Sequence, residues 1–503
     1  MLAKVFSGAL AGLEAVPITV EVDIASQGLP SFTIVGLPDK AVEESKERVR
    51  AAIKNTGADF PAKRITVNLA PADLPKEGPS FDLPIALGIL VASGQLSADL
   101  PKTLVFGELS LDGSINATRG ALLLASMAKE QGFENLITAS ANAIEASVVT
   151  GLKIFPAGSI KECFDHLSQI KPITALKKAK FKFEDFNFSE FDMKDVRGQE
   201  QAKRALEIAA SGGHNVLLKG PPGAGKTMLA RSLPSILPKL TFDEAVEVTK
   251  IYSVLSSVQE GLIRARPFRA PHHTASSVGI IGGGTNPKPG EISQAHRGVL
   301  FLDEFPEFPR HVLEALRQPL EDGFVTVSRA ASNVTFPARF TLVAAANPCP
   351  CGYFGETTRT CSCLPSQVTR YQKRLSGPIL DRIDIFVNVP AVKTRELVNL
   401  PVGEESKIIR GRVQKARDRQ TKRLASLKLM ANSEMTARQV KEICKLSEDC
   451  KKLLSAAINR FQISARGYIR LLKVARTIAD LSSEEEISPA HIAEAVQYRA
   501  AEG

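Results

Sequence analysis

One stretch near the middle of the chain, Gly220-Pro221-Pro222-Gly223-Ala224-Gly225-Lys226-Thr227, restricts the possible folds more than any other. It follows a short apolar run, Asn215-Val216-Leu217-Leu218-Lys219, and leads into a helix-forming run from Met228 to Leu233. A strand, then G-x-x-x-x-G-K-T, then a helix is the order that a phosphate-binding loop requires. The glycines let backbone N–H groups turn inward around phosphate oxygens, and the helix N-terminus adds partial positive charge. Lys226 is expected to neutralise the β- and γ-phosphates of ATP, and Thr227 to hold Mg²⁺ through its hydroxyl.

Two further strands complete the expected site. Val299-Leu300-Phe301-Leu302 reads as a buried parallel strand, and Asp303 and Glu304 stand at its C-terminal end, where α/β sheets place their chemistry. Asp303 is expected to reach Mg²⁺ and Glu304 to activate the attacking water. Thr341 to Pro348 reads as a third strand, with Asn347 at its end to orient that water. Downstream come Ser376-Gly377-Pro378-Ile379-Leu380-Asp381-Arg382-Ile383-Asp384 and then Ile463-Ser464-Ala465-Arg466.

This order of strands and arginines resembles the AAA+ superfamily. The phrases Phe268-Arg269-Ala270-Pro271-His272-His273-Thr274-Ala275-Ser276 and Ser376 to Asp384 are similar to the magnesium-chelatase-like AAA+ proteins of the ComM/YifB group, over nearly the whole chain. The resemblance implies that Arg382 is an arginine finger reaching a neighbour's ATP, and that Arg466 is the sensor-2 arginine of a helical lid. It also implies a hexameric homo-oligomeric ring that migrates single-stranded or branched DNA during recombination in natural transformation. The alternative is an ATPase that remodels a partner protein, as the chelatase motor subunit does. Taken singly, each arginine also reads as a surface salt bridge.

Helicase relatives in the superfamily, the replicative MCM proteins, carry a hairpin just before the sensor strand. Phe324 to Phe336 has that pattern, two alternating strands around a small polar tip bearing Arg329, which in a ring could grip a phosphate. The bland reading is a solvated hairpin. Leu262 to Arg297 clusters Arg264, Arg266 and Arg269 with His272 and His273 ahead of Gly282-Gly283-Gly284. It reads either as a second DNA contact or as structural packing.

Length and charge set the frame. A chain of 503 residues accommodates about three domains. The net charge of +10 favours a polyanionic partner. No run of about 18 uncharged apolar residues exists, so no membrane span is expected, and Met1 to Leu10 lacks the features of a signal peptide. A soluble cytoplasmic protein follows. The expected division is an α+β domain over 1–170, a linker over 171–190, the α/β ATPase core with its parallel sheet over 191–395, and a helical lid over 396–503.

In the first domain, Pro75 to Asp82 and Gly107 to Gly113 resemble the Lon protease domain, whose fold is ribosomal-S5-like. Ser80 falls where Lon-type enzymes carry their nucleophile. A Ser–Lys dyad also needs a lysine, and the corresponding position is Leu122. The resemblance therefore implies the fold and argues against proteolysis, and Ser80 reads better as a helix N-cap. In the lid, the basic run Glu404 to Lys428 reads as a solvated helix.

Cys349-Pro350-Cys351 and Cys361-Ser362-Cys363 form C-x-C, nine intervening residues, C-x-C. Four thiolates at this spacing can close a tetrahedral, structural Zn²⁺ site. Two reducible thiol pairs without metal are the alternative. Cys163, Cys444 and Cys450 read as half-buried and unremarkable.

Overall fold

The strand that leads into the phosphate loop, Val216–Lys219, is an inner strand of a five-stranded parallel sheet in the computed structural model, which describes residues 2–500 except 99, 178–180, 182, 184–189, 285, 329–332, 357–358, 376 and 392–401. The sheet order is Phe268–Arg269, Val299–Leu302, Thr341–Ala346, Val216–Lys219, Ile385–Asn388, with every neighbouring pair parallel. Val299–Leu302 and Thr341–Ala346 are buried along their whole length. Apolar runs without alternation are what a sheet covered on both faces demands. Parallel pairing also brings the C-terminal ends of the strands to one edge. Because Thr341–Ala346 lies between the other two, Asn347 emerges between the phosphate loop and Asp303.

At the opposite edge Asn215 ties three segments together. Its backbone N–H donates to Asp384 Oδ2 (2.9 Å), its Nδ2 donates to the Arg382 carbonyl (2.9 Å), and its Oδ1 accepts from Leu342 N (2.9 Å). Asp384 is buried and also meets Arg470 Nη1 at 2.6 Å and His214 Nδ1 at 3.6 Å. Burial works against its ionisation, but Arg470 and His214 outweigh that and hold the carboxyl below the usual carboxylate range. A depressed folded pKa stabilises the fold fully above the ordinary value of about 3.9 and loses that contribution as pH falls below it. Asp384→Asn is therefore expected to cost about 3 kcal/mol near neutrality, since it strips Arg470 of a buried counter-charge. Thermal melts should show the gap to the parent narrowing below about pH 4; a gap independent of pH would assign the loss to packing instead.

The chain divides into two units: Met1–Lys182 with Phe242–Ile263, and Phe183–Thr241 with Arg264–Gly503. The second holds the parallel sheet and, after it, a helical region that includes Ser406–Leu424, Glu448–Phe461, Ala465–Leu481 and Pro489–Ala500. The basic helix Ser406–Leu424 is not merely solvated. Arg417 donates to the carbonyls of Ser211 (3.0 Å) and Ala210 (3.1 Å), where helix Glu200–Gly212 leaves its last acceptors open. Arg412 pairs with Glu207 and Glu404, and Arg423 with Asp480. Cation spacing alone could not show that these side chains turn inward. The expected hairpin is present as Phe324–Ser328 paired with Asn333–Pro337; Arg329, at its tip, lies outside the described residues.

The first unit is α+β. Its seven-stranded sheet runs Ser31–Val35, Arg64–Ala70, Glu14–Ile24, Leu2–Ala11, Thr103–Val105, Asn135–Ala139, Lys153–Ala157. Helix Lys40–Asn55 starts at Asp39, whose carboxylate accepts from Val42 N at 2.8 Å, and buries Val42, Val49, Ala52 and Ile53. Ser80 is not an N-cap: it lies inside a 3-10 turn, Pro79–Phe81, that feeds directly into helix Asp82–Ala92. Leu122 is wholly buried. Phe242–Ile263, although inside the stretch expected to be the ATPase core, belongs to this unit. The buried Glu145 carboxylate fixes it, accepting from Val258 N (2.9 Å) and Ser253 Oγ as well as from Leu122 N (3.0 Å). Cys163, Cys444 and Cys450 are buried outright rather than half-buried, and burial pushes Cys163 up to about 12 and Cys444 up to about 11. Among the described residues, no helix is long and apolar enough to cross a membrane.

Candidate active site

The phosphate loop owes its shape to steric demands that only glycine meets at two kinds of position. Gly223 and Gly225 have φ of 77° and 88°, the left-handed region. A Cβ on Gly220 would sit 2.1 Å from the Val389 carbonyl oxygen. From this loop the helix Lys226–Ser232 starts, so Lys226 is its first residue. The Lys226 ammonium is buried and its three protons are engaged: by the carbonyls of Gly220 (2.7 Å) and Pro221 (2.8 Å) and by Asn347 Oδ1 (3.1 Å). Burial lowers its pKa, with the Asp303 carboxylate working in the opposite direction. Weak carbonyl partners of this kind can be exchanged for phosphate oxygens, which hold the cation more strongly.

Thr227 Oγ1 donates to Asp303 Oδ2 at 2.7 Å. A hydroxyl and a carboxylate side by side are hard oxygen donors of the sort that Mg²⁺ takes together with substrate phosphates. Thr227 and Asp303 are therefore the residues that would hold it. Asp303 Oδ1 accepts from Glu304 N (2.9 Å), which turns the chain sharply after the strand. Glu304 stands at φ 51°, a left-handed conformation that costs a non-glycine residue free energy. Its carboxylate is exposed and faces His273 Nδ1 at 3.3 Å. Such strain at one of two carboxylates beside a phosphate loop points to a geometric requirement of the chemistry.

These groups share one cleft of about 680 Å³ lined by Pro222 to Met228, Arg231, Ala270 to His273, Phe301, Asp303, Glu304 and Ala345 to Asn347. Lys226, Thr227, Asp303, Glu304 and Asn347, expected from separate motifs, thus meet. The sequence carried no sign of Arg231 as a cleft cation and placed His272 and His273 in a segment read as a DNA contact or as packing, whereas both histidines line this cleft. Nor did it mark Gln199, whose amide holds the loop from behind by donating to Ala224 O (3.3 Å) and Pro390 O (2.7 Å).

Comparison with known proteins bears on the whole chain. The family described as "Magnesium chelatase, subunit ChlI" matches residues 192–397, "Subunit ChlI of Mg-chelatase" matches 20–142, and "Magnesium chelatase, subunit ChlI C-terminal" matches 403–499. Competence protein ComM of Haemophilus influenzae is 47% identical, covering 99% of this chain and 97% of its own length. The chain belongs to the magnesium-chelatase-like ComM/YifB family. YifB of Escherichia coli is 45% identical over the same shares of both chains. Magnesium-chelatase subunit ChlI of Nephroselmis olivacea is more distant, 27% identical over 31% of this chain and 52% of its own.

The remaining candidates of this family member stand apart from the cleft lining. Arg382 is 9% exposed, paired with Glu321 and donating to the Pro378 carbonyl at 2.6 Å. Arg466 is exposed in the first turn of helix Ala465–Leu481. In the basic segment, Arg266 donates to the carbonyls of Pro238 (2.7 Å), Arg297 (2.6 Å) and Lys239 (3.2 Å), and Arg269 is bidentate on Glu291 at 2.6 and 2.6 Å. Guanidinium groups so engaged fit the packing alternative rather than a grip on DNA. Arg264 beside them is half-buried. The four cysteines Cys349, Cys351, Cys361 and Cys363 do come together, their Sγ atoms all within 4.8 Å of one another.

Proposed function

We propose that this protein hydrolyses ATP with Mg²⁺ and uses the energy to move along single-stranded or branched DNA, as a homo-oligomeric, hexameric ring. One observation carries the ATPase reading: Lys226, Thr227, Asp303 and Glu304 meet on one cleft although two separate motifs supply them. Lys226 would leave its loop carbonyls for the β- and γ-phosphates, Thr227 and Asp303 would hold the metal, and Glu304 would take a proton from the attacking water while Asn347 helps to orient it. The metal supplies charge neutralisation between the phosphates when bound. Arg382 and Arg466 are read as the finger and sensor arginines. The first unit, with Leu122 buried where a dyad lysine would stand, is read as a non-proteolytic Lon/S5-like domain.

The DNA reading draws on full-length similarity to a protein named for competence and on the net charge of +10. With Arg266 and Arg269 occupied, the hairpin Phe324–Ser328/Asn333–Pro337 is the better candidate for contact with DNA, through Arg329. The second reading, remodelling of a partner protein, is favoured by the chelatase name of the matching families.

Hydrolysis measured with no DNA, with single-stranded DNA and with forked DNA separates the two readings. The motor reading expects stimulation, with DNA affinity falling linearly in log salt, and a smaller response in Arg329→Ala at unchanged basal rate. Absence of any DNA effect on the parent protein would favour the remodelling reading.

A further inference from the structure

We propose that Cys349, Cys351, Cys361 and Cys363 bind one Zn²⁺ ion as a tetrathiolate knuckle that buttresses the phosphate loop and Asn347. The sulfur geometry carries the first half. Cys349 Sγ lies 3.4 Å from Cys351 Sγ and 3.7 Å from Cys361 Sγ, and the last two are 3.5 Å apart. Four thiolates at a Zn–S bond of about 2.3 Å occupy the corners of a tetrahedron with edges of about 3.8 Å. A disulfide would need about 2.05 Å, and all four cysteines are free. An iron–sulfur cluster places sulfide and several irons between its cysteines, which needs more room than four sulfurs within 4.8 Å leave. Cys351 N donates to Cys363 Sγ at 3.4 Å. Such an N–H donor disperses the charge that four thiolates bring, and it supplies the outer support that metal ligands need.

The second half comes from what the knuckle touches. Cys349 lies two residues after Asn347, which accepts from Lys226 Nζ at 3.1 Å. Gly352, at φ 86°, packs so closely on the phosphate loop that a Cβ there would meet Pro222 Cδ at 2.4 Å. The loop is further tied to the next helix, Pro365–Gln372, because Gln372 Nε2 donates to the Pro348 carbonyl at 3.2 Å. Residues between the two C-x-C pairs have little apolar material of their own: Phe354 is half exposed, and Arg359 stacks on Tyr353 at 4.5 Å. A short loop with no core of its own is where a metal supplies the folding free energy. The buttressing half rests on the ATPase reading; the metal site does not.

The test is metal analysis of the full-length protein purified under reducing conditions, with titration of the metal-stripped protein by Co²⁺. The expected result is one Zn²⁺ per chain and the visible absorption of tetrahedral, four-thiolate Co²⁺, both lost in the Cys361→Ser/Cys363→Ser variant. Should that variant aggregate, the Co²⁺ spectrum of the parent chain decides by itself. No bound metal together with no tetrahedral Co²⁺ spectrum would overturn the site. After zinc is stripped by a thiol-directed reagent and Mg²⁺ is restored, hydrolysis is expected to fall by about a hundredfold, the order that a displacement of about 1 Å costs an active site. A zinc-loaded parent whose hydrolysis and nucleotide affinity survive stripping would keep the metal site and overturn the buttress. A parent that binds zinc but hydrolyses no ATP in either state would instead count against the ATPase reading.

Discussion

Replacing Glu304 by glutamine is expected to reduce ATP hydrolysis by about 10²–10⁴-fold, the contribution of a positioned general base, while ATP still binds. Glutamine has the same shape but cannot accept the water's proton at neutral pH. The groups proposed to hold the nucleotide are untouched: Lys226 on the loop, Thr227 and Asp303 at 2.7 Å from each other, and the backbone contact of Glu304 N with Asp303 at 2.9 Å. Phosphate release and binding of a fluorescent ATP analogue, measured side by side, should therefore part company. His273→Ala gives the comparison that separates base from setting. His273 lies 3.3 Å from the Glu304 carboxylate and can orient it without touching the reacting water, so its loss should lower the rate less than Glu304→Gln does. Steady-state hydrolysis that survives Glu304→Gln would remove this residue from the mechanism and shift attention to Asp303.

Asp303, Glu304 and Asn347 were legible because they follow short apolar strands directly, and Lys226 and Thr227 because a glycine-rich loop joins such a strand to the helix they open; parallel strands deliver their C-terminal ends to one edge. Local spacing was enough. His273 and Gln199 could not be found that way: their roles depend on which strand lies beside which, and Phe268–Arg269 joins the sheet through only two residue pairs. The signal for His273 was present in its place just after that strand, but the neighbouring arginines gave the segment a basic character that suggested a surface. Charge spacing was misleading in the same way at Arg412, Arg417 and Arg423, which face carboxylates and helix-end carbonyls that only the tertiary fold supplies. In the first unit, the helix Lys40–Asn55 has a sequence signal in the apolar spacing of Val42, Val49, Ala52 and Ile53, whereas Leu2–Ala11 carries a weak strand signal. Its inward residues include Ala3, Ser7 and Ala9, small side chains with weak strand preference, and the sheet neighbours on both sides hold it in place. Phe242–Ile263 is tied to the first unit by contacts such as that of Val258 N with the buried carboxylate of Glu145, more than a hundred residues upstream, and by Gly120 N donating to the Ser253 carbonyl at 2.8 Å, a separation that no periodicity reveals.

Arg382→Ala is expected to reduce hydrolysis by about 10³–10⁵-fold in a homogeneous assembly, the worth of an arginine finger. The single chain holds this guanidinium in a way that allows two opposite explanations. It is 9% exposed, paired with Glu321, and donates to the Pro378 carbonyl at 2.6 Å. If that arrangement is only structural, removing the arginine leaves Glu321, whose side chain is 54% exposed, free to hydrate, so a modest loss of stability should accompany any loss of activity. If Arg382 acts across an interface, Glu321 is the group that keeps its charge compensated until a neighbour's γ-phosphate competes for it. A carboxylate open to water is easier to leave than a buried one, which makes the exchange feasible. Melting curves and mixed assemblies tell these apart. Under the interface reading, the loss of activity in Arg382→Ala far exceeds what its change in melting temperature accounts for, and mixing it with Lys226→Ala restores part of the activity, because one partner contributes an intact loop and the other an intact arginine to the same site. Glu321→Gln, which loosens the pair without removing the guanidinium, should then leave hydrolysis intact. Mixed assemblies that form but stay inactive, or a loss of activity that follows the melting temperature, would return Arg382 to the role its burial in the single chain suggests, a strut between Glu321 and the turn at Pro378.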